Sequence, residues 1–120
     1  MKMGALQTAT IPMYVLDPPE PGTTSNAVDL GRWFEYIQLV IPTLDSATLT
    51  IQGAPTLGGT YANIEVENPL AAGHFTLATS AGVGGITVTG KLGGWRYVKL
   101  VANNAQTTAA RNILVRGANE

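Results

Sequence analysis

Residues 34–53 read FEYIQLVIPTLDSATLTIQG, and this stretch decides the fold class. Over 36–41 aliphatic side chains alternate with tyrosine, glutamine and valine, and over 47–52 apolar side chains alternate with threonine and glutamine. A period of two places successive side chains on opposite faces of a β-strand. Residues 42–46 suit a loop, because proline lacks an amide donor and aspartate bonds the amides of a turn. The stretch therefore predicts two strands joined by a short loop.

The rest of the chain repeats this pattern in shorter pieces. Glycine and proline recur at short intervals after residue 53, and no window of 11 or more residues keeps a helical apolar stripe. Extended segments are predicted between these residues and near the start of the chain, at 8–16, 61–67, 74–78, 86–89, 95–102 and 111–116. The pattern predicts an all-β fold of about eight short antiparallel strands, arranged as a sandwich or as a closed barrel.

The domain organisation is simple except near the start of the chain. A length of 120 residues suits one domain over 1–120, with a main body at 27–117. The segment DPPEPGTTSN at 17–26 holds three of the seven prolines and separates 1–16 from that body. Residues 1–22 are either a first strand with a long surface loop, or an extended N-terminal arm that adds its strand to a neighbouring subunit.

Charge is scarce and unevenly distributed along the chain. Charged residues make up 12% and apolar residues 45%, which suggests that partners cover part of the surface. The net charge of −1 provides no drive toward nucleic acid or an anionic membrane. Residues 1–70 hold two basic and seven acidic residues, whereas residues 91–120 hold five basic and one acidic. Either the fold mixes these charges, or like molecules meet head to tail through an acidic and a basic side.

The residues that chemistry requires do not cluster in this sequence. There is no cysteine and a single histidine, His74, which excludes a thiolate or histidine metal set. Glu65 and Glu67 share a strand face but read as a solvated edge, and the glycine run AGVGGITVTG at 81–90 lacks the lysine and helix of a phosphate loop. No apolar run approaches the roughly 20 residues of a membrane span, and no signal peptide is recognisable. We expect no enzymatic activity, no cofactor, no metal, and folding in the compartment of synthesis.

A binding role therefore depends on the stretch GGWRYVKLVA at 93–102. Alternation puts Trp95 and Tyr97 on one face, with Lys99, and puts Val98 and Leu100 on the other, which we predict to be the core side. Trp95 and Tyr97 are therefore either core residues of this chain or outward interface anchors, a role typical of aromatic residues. Stacking on nucleic acid is opposed by the acidic half of the chain. The candidate interface residues are Trp95, Tyr97, Lys99 and Arg111 on the basic side, and Glu65, Glu67, Met13 and Tyr14 as acceptors.

Two segments together resemble a known group of proteins. FEYIQLVIPTLDSATLTIQGAPTLGGTYANI, followed by GGWRYVKLVANNAQTTAARNILVRGANE, is similar to small structural proteins of tailed bacteriophage virions. The similarity covers 35–53 and 93–117: a strand ending in an IP-x-LDSAT loop, a TIQG strand, a RYVKL strand and a closing R-xxx-V-R-G strand. The last two also look like strands of discoidin-type jelly-roll modules that bind glycans or lipids.

The resemblance implies a fold and a role: a single jelly-roll-like β-sandwich that serves as a capsid accessory protein. The chain would be a decoration, or cement, protein on the capsid surface of a virion, made in the host cytoplasm. Its partners would be the major capsid protein and further copies of itself, with a homotrimer favoured. Neither nucleic acid nor a membrane is an expected partner.

Two alternative functions stay open. In a carbohydrate- or receptor-binding module, Trp33, Trp95 or Tyr97 would stack on sugar faces, and Asn103 and Asn104 would supply hydrogen bonds. A structural component of the head–tail junction or tail would differ from a decoration protein mainly in ring symmetry.

Overall fold

All regular structure that is described is β-strand. The protein, seen in a computed structural model, is described over residues 2–67, 74–76 and 86–119. These ranges contain β1 (Lys2–Met3), β2 (Gln7–Ile11), β3 (Val28–Ile41), β4 (Leu49–Ala54), β5 (Ala62–Asn63), β6 (Glu65–Glu67), β7 (His74–Thr76), β8 (Ile86–Ala102) and β9 (Arg111–Asn119). The all-β prediction is confirmed. The glycine turn predicted within 81–90 falls largely on residues outside these ranges.

Seven of these strands form one antiparallel sheet. The order is β1–β9–β3–β8–β4–β5, and β2 pairs with β9 on the same edge as β1. The strands β6 and β7 form a separate two-stranded ribbon. Every pairing of described strands is antiparallel, as predicted.

The two longest strands, β3 and β8, each belong to two parts of the sheet. Half A consists of β1, β2, β9, residues 36–41 of β3 and residues 86–91 of β8. Half B consists of residues 28–29 of β3, residues 97–102 of β8, β4 and β5. The register of β3 and β8 shifts between the halves, where four residues of β3 oppose one of β8. Such bulges bend a strand, so β3 and β8 pass from one half to the other.

A single core lies between the halves. Aliphatic side chains from alternate positions of both halves are buried in one cluster: Ile37, Leu39, Ile113 and Val115 from half A, and Leu49, Ile51, Val98 and Leu100 from half B. One cluster with members from both halves means that their inner faces pack against each other. The predicted core side of the 93–102 stretch is confirmed, since Val98 and Leu100 are fully buried.

The prediction that all strands are short is wrong. β3 has 14 residues and β8 has 17. The glycines at 90, 93 and 94, interpreted as strand breaks, lie inside β8, and Gly93 and Gly94 have φ of 81° and 90°. Glycine adopts these angles without steric cost, so the strand bends here instead of ending.

The sheet does not close through a continuous ladder in the described residues. Strand β2 meets the segment before β3 at one point, where the Thr10 N–H donates to Asn26 Oδ1 at 2.8 Å and the Asn26 N–H donates to the Thr10 carbonyl at 3.4 Å. The structure therefore shows one bent antiparallel sheet around a core.

The start of the chain lies in the chain's own sheet. Strand β2 pairs with β9 from Gln7↔Val115 to Ile11↔Arg111, and Ala9 and Ile11 are fully buried. This is the placement expected of a first strand followed by a surface loop. Exchange of residues 1–22 between subunits stays a prediction.

Candidate functional site

The indole of Trp95 packs against the chain's own core. A Cβ on Gly53 would lie 2.8 Å from Trp95 Cδ2, so the ring covers the position where Gly53 lacks a side chain. Of the two alternatives that the sequence leaves open for Trp95, a core residue or an interface anchor, the packing of its ring favours the core. The register pairs Phe34 with Trp95 and Asp29 with Tyr97, and the bulge between them breaks the simple alternation.

Tyr97 lies in a separate group of side chains that we call the tyrosine patch, which consists of Tyr61, Tyr97 and Lys99. The Arg96 guanidinium lies 5.1 Å from the centre of the Tyr97 ring, and the Lys99 ammonium lies 4.5 Å from the centre of the Tyr61 ring. Desolvation, with smaller effects of nearby Tyr97 and Asp29, raises the pKa of Tyr61. Each ring therefore has a face occupied by a cation of the same chain.

Two ion pairs join the acidic first part of the chain to its basic end. Arg96 Nε lies 2.8 Å from Asp29 Oδ1, and Arg111 Nη2 lies 2.9 Å from Asp45 Oδ1. The hydrogen bond from Arg96, then the one from the Gly31 N–H, holds the pKa of Asp29 below its ordinary value of 3.8. The fold thus mixes part of the charge that the sequence separates.

The loop between β8 and β9 is organised around Asp45. Its carboxylate accepts the Thr107 and Thr108 N–H groups at 2.8 and 3.0 Å, the Thr108 hydroxyl at 3.2 Å and Arg111 at 2.9 Å. The Arg111 side chain is only 15% exposed. Arg111, a predicted interface residue, therefore holds this loop in place within its own chain.

An exposed apolar segment follows β2, and we call Met13–Leu16 the apolar tip. Leu16 is 79% exposed, and Met13, Tyr14 and Val15 are also exposed. The backbone is held in place: the Tyr14 N–H donates to the Gln106 carbonyl at 2.8 Å, and Val15 and Glu20 exchange hydrogen bonds at 2.9 and 2.8 Å. Met13 and Tyr14 were predicted interface residues. Val15 and Leu16 were missed, although the unbroken apolar run before a proline-rich segment signals them.

The bend of β3 carries an exposed tryptophan, Trp33. Trp33 is 54% exposed, and its carbonyl accepts the Asn119 side-chain amide at 3.2 Å. Asn119 Oδ1 in turn accepts the Glu35 N–H at 2.9 Å, and Lys2 pairs with Asn119 in the sheet. We call Lys2, Arg32, Trp33 and Lys91 the basic corner.

The solvent side of half A forms an uncharged row, which we call the outer face: Thr8, Leu114, Val40 and Thr87. These residues face one another across β2, β9, β3 and β8 in the register of the sheet. Val40 and Leu114 are 39% and 38% exposed. Four strands span about 14 Å, so the row is broad and contains two adjacent apolar side chains at its centre.

The remaining candidate residues are dispersed. Glu65 is exposed on β6, and for Glu67 only its strand position opposite His74 is described. Asn103 Oδ1 accepts the Thr48 N–H at 2.9 Å, and Asn104 donates to the Ser46 carbonyl at 2.6 Å. Asn103 and Asn104 thus brace the loop before β4, whereas Trp95 packs on the core and a cation lies over the Tyr97 ring.

Neither a metal centre nor a membrane-spanning helix is found in the part of the chain that the structure describes. No three His, Asp or Glu side chains within it gather to hold a metal ion. No helix there has the length and hydropathy to cross a membrane.

Comparisons of the chain with protein-family models, with curated proteins and with solved structures found no match. A functional assignment therefore depends on the surfaces above and on the resemblance carried by 35–53 and 93–117.

Proposed function

We propose that this chain is a non-enzymatic structural protein of a tailed-phage virion, a decoration protein that binds the assembled head. The outer face carries the proposal. Its four-residue row is uncharged, with Leu114 and Val40 adjacent at the centre, and Arg116 and Gln38 lie in the next row of the same face. An apolar centre with polar side chains beside it suits a flat protein surface better than a small molecule. The jelly-roll-like sandwich that the resemblance implies is compatible with a bent antiparallel sheet around one core.

The outer face is held rigid by its sheet, which favours binding. In the row next to Val40, Arg116 Nε donates to Gln38 Oε1 at 2.7 Å. Nearer the start of β9, the Thr10 hydroxyl donates to Asn112 Oδ1 at 2.8 Å. Side chains that are already ordered lose little entropy on binding. Many weak copies of such a contact, repeated over a lattice, add up through multivalency when the subunits are linked.

A charge at the centre of the outer face is expected to weaken head binding. Val40→Glu buries an unpaired carboxylate in the contact, and we expect binding to fall at least about tenfold. Thr50→Glu is the matched control, since Thr50 is a partly exposed strand residue of half B. Co-sedimentation with assembled heads of the virus that encodes the chain measures both variants.

Two results would contradict the proposal. Failure of the wild-type chain to co-sediment with heads would exclude a decoration role. Equal loss with Val40→Glu and Thr50→Glu would exclude the outer face as the contact.

Carbohydrate binding remains the second candidate, favoured by the exposed indole of Trp33. A glycan that stacks on this indole changes its fluorescence, and Trp33→Phe removes that change while Trp95 still reports on the core. No change with a panel of glycans would exclude this candidate.

A further inference from the structure

The apolar tip and the basic corner lie at opposite ends of β9. Ile11 pairs with Arg111 at the start of β9, so the chain passes that end as it enters the tip. Lys2 pairs with Asn119 at the other end, where the Asn119 side chain holds Trp33. Nine residues of antiparallel strand separate these ends by about 27 Å. A single copy therefore cannot bring its own tip to its own corner.

The two ends carry opposite charges. Residues 12–22, which contain the tip, include Asp17 and Glu20 and no basic residue. The corner carries Lys2, Arg32 and Lys91. Lys91 is placed there by the register Met3–Ala118–Tyr36–Lys91. Glu35 is an acidic residue of the same region, and the three described cations outnumber it, so the described part of the corner has an excess of positive charge.

These charges are free to meet a partner. The ion pairs of the described residues are Asp29–Arg96 and Asp45–Arg111, and neither uses a charge of the tip or the corner. Arg32 lies 5.2 Å from the centre of the Phe34 ring but stays exposed.

Apolar groups at the two ends also match. The tip presents Leu16, and the corner presents Trp33. Met3, which follows Lys2 in β1, is 44% exposed. Trp33 lies among the cations of the corner, and Leu16 lies next to the acids of the tip. Interfaces commonly have apolar anchor residues at the centre and charged residues at the rim.

We propose that copies of this chain associate head to tail, with the apolar tip of one copy bound to the basic corner of the next. Because the two surfaces differ, the contact is heterologous, and it yields a ring if the rotation closes and a filament if it does not. The outer face lies along the side of β9 and is not used by this contact. The inference does not rest on the proposed function.

Charge reversal tests the contact in the purified chain without any head. Asp17→Lys with Glu20→Lys makes the tip basic, and Arg32→Glu with Lys91→Glu makes the corner acidic. Each double variant then opposes like charges, and we expect its apparent dissociation constant for self-association to rise at least about tenfold. Light scattering after size-exclusion chromatography, from 10 to 200 µM, measures the mass.

Mixing the two double variants is the decisive step. In an equimolar mixture each tip can bind a corner of opposite sign on the other variant, so we expect association to return. The two variants then alternate in equal amounts, in open chains or in rings with an even number of copies. The variant with all four reversals is also expected to associate. Glu65→Lys with Glu67→Lys, which changes the net charge as much as the tip variant, is the matched control and is expected to associate like the wild type.

Several outcomes would overturn the proposal: a wild-type chain that stays monomeric at 200 µM, double variants that associate normally, a mixture that stays monomeric, or a control that dissociates like the tip variant. Circular dichroism checks the fold. If loss of the Arg32–Phe34 contact unfolds the corner variant, Lys91→Glu alone replaces it. Head binding by the Val40→Glu series is read separately, so failure of one proposal leaves the other measurable.

Discussion

Replacing Gly117 by alanine is expected to destabilise the protein by about 1–3 kcal/mol, because the new methyl group overfills the core. A Cβ at this position would overlap Cδ2 and Cγ of the Phe34 ring, and Phe34 is 1% exposed. A Cβ on Gly4 would also lie 2.8 Å from Phe34 Cζ. The ring is therefore wedged over two glycines at the bend of β3 and has little room to move.

A double-mutant cycle separates this clash from other effects of the substitution. Phe34→Ala removes the ring from Cγ outward and is expected to cost about 3–5 kcal/mol by itself. In the Phe34→Ala background, Gly117→Ala should cost much less than in the wild type, since the Cγ and Cδ2 atoms that the new methyl group meets are absent. Gly58→Ala is the control, because a Cβ there meets nothing within 4 Å. Denaturant unfolding measures all four variants, and additive effects would contradict the wedge.

Removing the Asp45 carboxylate is expected to release the loop between β8 and β9. Asp45→Ala deletes the acceptor of two backbone N–H groups and the counter-charge of Arg111, whose Nε is buried without a hydrogen-bond partner. We expect Tm to fall by roughly 5–10 °C, since a largely buried guanidinium loses its partner. Asp29→Ala, which breaks the more exposed pair with Arg96, should lower Tm less.

Hydrogen exchange provides a local readout for the same variant. The Thr107 and Thr108 amides should lose protection in Asp45→Ala and keep it in Asp29→Ala. Unchanged protection at both threonines would contradict the role given to Asp45.

Acid should weaken the wild type through the same carboxylate. The hydrogen bond from the Thr108 N–H, then those from Thr107 and the Thr108 hydroxyl and the charge of Arg111, hold the pKa of Asp45 below 3.8, against desolvation. A carboxyl whose pKa is lower in the folded state stabilises the fold above its unfolded pKa of about 3.9, and this stabilisation is lost as pH falls through the folded value. Stability of the wild type should therefore decline below about pH 4 more than that of Asp45→Ala.

Local sequence predicted much of the fold because strand formation and burial follow from alternation. The strands predicted over 36–41 and 47–52 correspond to the end of β3 and to β4, which is shifted by two residues, and Val98 and Leu100 are buried as predicted. Bends were not predictable in the same way. A pair of glycines can end a strand or bend it, and the sequence does not distinguish the two. Pairing of β8 with β3 across the bulge decides that Gly93 and Gly94 bend β8.

The proposed contact surfaces likewise differ in how far the sequence alone could identify them. Met13 and Tyr14 were identifiable because an apolar run before prolines is visible locally. The basic corner was not, since Lys2, Trp33 and Lys91 are brought together by pairing with β9 and β3. The sequence suggested Arg111 as an interface residue, whereas its side chain binds Asp45, 66 residues away along the chain.

The sequence by itself determined an all-β chain, the aliphatic faces that form its core and the absence of a recognisable catalytic motif, because these depend on the order of neighbouring residues. Only the tertiary structure decided that Trp95 faces the core, that two acids neutralise two arginines, and that the apolar tip and the basic corner lie at opposite ends of β9. Those outcomes depend on strand register between distant segments. A shift of one residue in that register would exchange the faces of every side chain it moves.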